Sequence, residues 1–354
     1  VATLDALQTA LRTGDGIDDV AADAAARTAL ATAAGNVERA GIDRLSLRYL
    51  DAEGRPDADD GWDAAVALTW RFKGYDSGVA RREITVTMSP DGSTVSALGG
   101  DDTAAPVWLT EQLTVRRVPG ALVLAGTTAD VDALAIRARR ASDQVETVLG
   151  SDADVVFEMP GSAKALHTAL DAAPGTYDAV AAVTAPVDGS LTSDAPVHVF
   201  LNPAVYADLD PLAAQVVTTH EAVHAVTRAP VVSAPLWLVE GFADYVALRD
   251  VDLPYDRSAG QILDQVAADD VPPALPTDAQ LNPTADGLGA QYEAAWLAWV
   301  VLADHAGEQA VLAFYRDVLD GAGVEEALVD RTGWTVDDLT GAWQDRLRAL
   351  AGAG

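Results

Sequence analysis

The segment His220-Glu221-Ala222-Val223-His224 limits the fold of this chain more than any other stretch. On an α-helix, positions i and i+4 lie one above the other on a single face, so both imidazoles can reach one ion. A second segment, Trp237-Leu238-Val239-Glu240-Gly241-Phe242-Ala243, offers a carboxylate at Glu240. Two imidazoles and a carboxylate are a complete set of protein ligands for a catalytic zinc ion, with one position left open. The fold is therefore expected to pack two helices so that His220, His224 and Glu240 converge.

The flanking residues support both helices. Asp210-Pro211 is a cap followed by proline at the first helical position. Leu212, Val216, Val217, Val223 and Val226 recur at helical spacings. Pro230 and Pro235 bracket the connection, and Pro235 suits the first turn of a helix from Leu236 to Leu248. Glu221 points along the neighbouring edge of the first helix, which sets its carboxylate beside the open position. A carboxylate there can take a proton from an attacking water. Asp244 lies one turn beyond Glu240 on the same face. It is placed to accept a hydrogen bond from the free ring nitrogen of His220, the usual partner arrangement for a zinc-bound histidine.

The stretch from Trp237 to Tyr245 resembles the second zinc helix of the gluzincin metallopeptidases. It is most similar to the aminopeptidase N-like and peptidase MA-like branches. The resemblance implies zinc (Zn2+, one per chain) held by His220, His224 and Glu240, with Glu221 as general base. Tyr292-Glu293-Ala294-Ala295-Trp296 is similar to the helix that supplies a transition-state tyrosine in aminopeptidase N-type enzymes. That match implies that Tyr292 donates its hydroxyl to the developing oxyanion; core packing beside Trp296 and Trp299 is its competing role. The likeness covers residues 111–354 and is sharp at the two zinc helices. Two departures limit it. No Gly-x-Met-Glu-Asn segment, which holds a free amino terminus in those aminopeptidases, precedes His220. Only residues 225–239 separate His224 from Glu240, a shorter interval than in that family.

Composition narrows the partners. The formal charge is −31, from 54 acidic and 23 basic residues spread along the chain. Such a surface disfavours nucleic acid and anionic membranes and fits solvation. There is no cysteine, which excludes disulfides, cysteine nucleophiles and thiolate metal sites. No apolar run approaches the ~20 residues of a membrane span. Lys73 and Lys164 are the only lysines, a bias typical of high-GC codon usage. A start at Val1 rather than Met, with an acidic cysteine-free surface, gives the expectation of an exported protein, extracellular or associated with the cell envelope; a trimmed start would look the same. The expected form is a monomer acting on a peptide or protein substrate.

Along the chain, residues 1–107 read as an α+β accessory module. Leu4, Leu7 and Leu11 mark a helix stopped near Gly14, and residues 18–40 are alanine-rich and helical in propensity. Strands follow over residues 45–50, 64–72, 84–88 and 94–98. One or two helices before an antiparallel sheet give a cystatin-like or nuclear-transport-factor-like topology. Gly99 to Pro106 is a polar linker. Residues 108–354 are then the gluzincin (thermolysin-like) zinc peptidase domain, with an upper lobe to about residue 228 and a helical lower part after it. A hairpin around Pro119-Gly120, a helix over residues 130–149, strands over 155–159 and 197–201, and the first zinc helix fit an upper lobe whose edge strand can receive an extended peptide. His198, in an apolar strand, is expected to be a paired structural histidine, and His305 a surface one.

The expected activity is peptide hydrolysis by a metal-activated water with Glu221 as base. Two rival readings stand beside it: a catalytically silent, zinc-retaining binding or envelope-scaffold protein, and a zinc hydrolase of a non-peptide amide. A scaffold has no need of Glu221; only substrate profiling separates the third.

Overall fold

A computed structural model describes residues 2–57, 61–99, 103–126, 130–150, 152–192 and 194–352. Val1 and residues 100–102 of the expected linker lie outside them. The architecture is mixed helix and sheet, with one antiparallel and one mixed sheet, in keeping with an α+β class. The chain forms two compact units, one of Val1–Asp143 and Asp152–Ala214, the other of Gln144–Ser151 and Gln215–Gly354.

The first unit opens with α1 (Ala2–Thr13), α2 (Ile17–Val20) and α3 (Ala24–Ala40). The Asp23 side chain caps α3 by accepting from the Ala26 amide at 2.8 Å. The helix stops at Gly41, whose φ of 67° costs a glycine little, and the chain turns straight into a strand. An antiparallel meander follows: β1 (Ile42–Asp57), β2 (Gly61–Phe72), β3 (Ala80–Met88) and β4 (Val95–Leu98). Alternation along β2 turns Ala64, Val66, Leu68, Trp70 and Phe72 inward, into one cluster with Leu7, Leu11 and Leu30 of the helices.

After α4 (Val107–Thr110) comes the second sheet, built from β5 (Leu113–Val118), β6 (Ala121–Gly126), β7 (Val155–Met159), β8 (Ala182–Pro186) and β9 (Val197–Leu201) in the order β5-β6-β7-β9-β8. β5 and β6 form a hairpin about Pro119-Gly120. α5 (Val131–Leu149) carries the chain from β6 to parallel β7, and α6 (Ala163–Leu170) follows β7. β8, an antiparallel edge strand beside β9, has no counterpart in the sequence reading. α7 (Pro203–Tyr206) and the start of α8 (Pro211–Thr227) end the unit. Residues on either side of position 107 share a single apolar cluster, in which Trp70 meets Trp108 edge-on at 6.2 Å.

A buried ionic cluster interrupts that core. His198 on β9 is 1% exposed. It donates from Nδ1 to Glu158 on β7 at 2.7 Å and from Nε2 to Asp76 between β2 and β3 at 2.9 Å. Burial opposes a charge on the ring, but Asp76 and Glu158 outweigh it and raise its pKa to about 9. His198 is thus the paired structural histidine that its apolar strand implied.

Among its described residues the second unit is helical: the rest of α8, then α9 (Leu236–Leu248), α10 (Tyr255–Ser258), α11 (Gly260–Ala267), α12 (Leu288–Ala306), α13 (Glu308–Leu319), α14 (Val324–Thr332) and α15 (Val336–Ala351). α9 and α12 touch at Gly241. A Cβ there would sit 2.6 Å from the Ala295 carbonyl oxygen, a contact backbone cannot relieve. Around this contact Phe242 stacks on Tyr315 at 3.9 Å and meets Trp299 at 5.0 Å. No described helix is long and apolar enough to cross a membrane.

Candidate metal centre

Local sequence starts the first ligand-bearing helix, and a distant residue starts the second. α8 starts where Asp210 accepts from the Leu212 and Ala213 amides at 2.8 and 3.0 Å. α9 cannot cap itself, because Pro235 occupies the capping position rather than the expected first turn. Asp278, far along the chain, supplies the missing acceptor to the Leu236 amide at 2.8 Å. Buried Thr219, just before His220, donates to Gln144 at 2.8 Å, and Gln215 donates to Thr219 at 3.2 Å.

The three expected ligands converge. His220 Nε2 and His224 Nε2 are 2.9 Å apart, and each lies 3.1 Å from Glu240 Oε2. Tetrahedral zinc with bonds of about 2.0–2.1 Å separates neighbouring ligand atoms by about 3.3 Å. The triangle therefore fits such an ion after shifts of a few tenths of an ångström. Asp244 Oδ1 accepts from His220 Nδ1 at 2.7 Å, which leaves Nε2 free to offer its lone pair toward the other two ligands. His224 has no equivalent support: its Nδ1 is buried without a hydrogen-bond partner among the described residues.

Electrostatics tie the groups together. Burial disfavours a charge on His220, yet Asp244 and Glu240 outweigh it and hold the ring well above its ordinary pKa. Burial likewise opposes the Glu240 charge, but His224 and His220 keep its carboxyl well below the usual range. The carboxylates therefore favour a proton on His220, and a metal ion held there would take that proton's place.

Tyr292 of α12 faces this cluster, its ring 6.2 Å from that of His220. Its hydroxyl lies close enough to Glu240 to feel that carboxylate. Burial first, then the carboxylates of Glu240, Asp244 and Glu221, push its pKa far above the ordinary phenol value. Glu221 is half-buried on α8 beside His220 in sequence, and its charge is felt at Tyr292. All six sequence-derived residues lie in the second unit, and His220, His224, Glu240, Asp244 and Tyr292 come together there. Sequence reasoning missed Asp278, and also Tyr315, which stacks under Phe242 of α9 and reaches Thr227 of α8 at 3.4 Å. Neither carries a local signal; both act from positions distant in sequence. His305 is exposed, as expected, and stacks on Trp334 at 3.6 Å.

The chain matches no protein-family model and no curated protein.

Proposed function

We propose that this chain is a zinc-dependent peptidase of gluzincin type. The observation that carries the reading is the triangle of His220 Nε2, His224 Nε2 and Glu240 Oε2, no side longer than 3.1 Å, with Asp244 bonded behind His220. A zinc ion held there would supply Lewis acidity to the scissile carbonyl and acidify the attacking water. Glu221 takes that proton on its carboxylate and returns it to the leaving amine nitrogen. Tyr292, its hydroxyl kept protonated by burial and the surrounding carboxylates, turns from Glu240 to donate to the developing oxyanion. Asp244 fixes the ring orientation and tautomer of His220. In this reading residues 108–354 form a thermolysin-like peptidase domain, and residues 1–107 a cystatin-like or nuclear-transport-factor-like accessory module whose apolar core is continuous with residues 108–200. The protein is exported and works as a monomer on peptides or proteins.

The test is cleavage of a mixed peptide library by the zinc-reconstituted full chain and its Glu221→Gln variant. The variant is expected to keep its metal and lose roughly 10²–10⁴-fold in rate. Undiminished cleavage by metal-replete Glu221→Gln overturns the mechanism.

A further inference from the structure

The second unit contains a cavity that the metal centre does not use. It has a volume of about 330 Å³ and lies between the C-terminal half of α9, the segment after it and α12. Part of its wall is apolar and aromatic, with Leu248 and Val300 on the helices and Tyr255 and Trp296 tilted toward each other at 5.8 Å, while Tyr245, Arg249 and Ser258 add polar groups. Cavities of this size and lining are the usual seats of small ligands, with a few polar groups setting orientation.

The charged group of the lining is Arg249. Glu308 engages its Nε at 2.9 Å and Nη2 at 3.3 Å. A guanidinium has five N–H donors, so Nη1 remains to donate. Arg346, outside the lining, lies 5.7 Å from the centre of the Tyr255 ring and pairs with Asp304 at 3.6 Å. Arg249 is the cationic side chain of the lining, and its Nη1 is the donor that Glu308 does not engage. An apolar body between Trp296 and Tyr255, ending in an acceptor at Arg249, satisfies both halves of the lining.

We infer that this cavity binds a small carboxylate carrying an apolar body, through Arg249 and the Trp296–Tyr255 walls. The site stands apart from the peptidase reading and does not depend on it.

Calorimetric titration of the full chain tests this with 3-phenylpropionate and octanoate, which separate an aromatic from an aliphatic body. Acetate and 3-phenylpropanol are the controls for charge alone and body alone. Saturable one-to-one binding of either carboxylate is expected, with the alcohol and acetate roughly tenfold weaker or worse. Arg249→Met should remove that advantage without changing affinity for the alcohol. Val300→Phe, which fills the cavity, should abolish binding of every probe. Thermal melting of both variants verifies that they are folded. No saturation by either carboxylate up to about 20 mM, which bounds affinity at about −2.3 kcal/mol, overturns the inference. So does binding that survives Arg249→Met or Val300→Phe unchanged.

Discussion

Replacing His198 with glutamine keeps a polar side chain in the core of the first unit but removes its positive charge. In the native arrangement the ring sits between Glu158 at 2.7 Å and Asp76 at 2.9 Å, with side-chain exposures of 1%, 4% and 3%. Two carboxylates left there without a cation cost about 3–5 kcal/mol. The pH dependence gives an independent figure. The folded-state pKa is raised to about 9 from an ordinary 6.5. The difference corresponds to about 3 kcal/mol. The sign follows from the direction: the group gains a proton more readily when folded. Its stabilisation is complete below about pH 6.5 and is lost as pH rises through about 9. The assay is urea unfolding of wild type and His198→Gln, followed by circular dichroism, from pH 6 to pH 9.5. The stability gap between the two should be about 3 kcal/mol at pH 6 and shrink toward the alkaline end. A gap that stays constant across this range refutes the charged-bridge account.

Two further outcomes concern the metal centre. Asp244→Asn should weaken zinc affinity about 10–100-fold, measured by competition with a chelating dye, because His220 loses the carboxylate that orients and polarises it. Tyr292→Phe should retain zinc and stability but lower kcat, roughly 10²–10³-fold, with little change in KM, because its hydroxyl acts on the transition state rather than on the bound peptide.

Much of this arrangement was legible in the sequence because it is local. The i, i+4 spacing of His220 and His224, and of Glu240 and Asp244, is set by helical geometry alone. The Asp210-Pro211 start of α8 is equally local. What escaped the sequence depends on contacts between distant segments. Asp278 caps α9 from 42 residues away. His198 could be placed in an apolar strand, but not opposite Asp76, 122 residues earlier. β8 went unseen because Ala182-Val183-Thr184-Ala185-Pro186 is short, contains two alanines and ends in proline, all weak strand signals. Its edge position, with a single partner in β9, is what tolerates such a sequence. Pro235 fits a helix start by either of two placements, and only the fold selects the capping one. For Tyr292 the shared face with Trp296 and Trp299 left its role open. The packing separates them: Trp299 lies among Phe242, Phe314 and Tyr315, while Tyr292 turns to His220 and Glu240.

The most direct test of the central claim is elemental analysis of the zinc-reconstituted full chain beside its His224→Ala variant, after removal of loosely held metal. The account predicts about one zinc per chain in the wild type and almost none in the variant, because a catalytic site needs all three protein ligands. A wild type that takes up no zinc, or a His224→Ala protein that holds as much as the wild type, would contradict it.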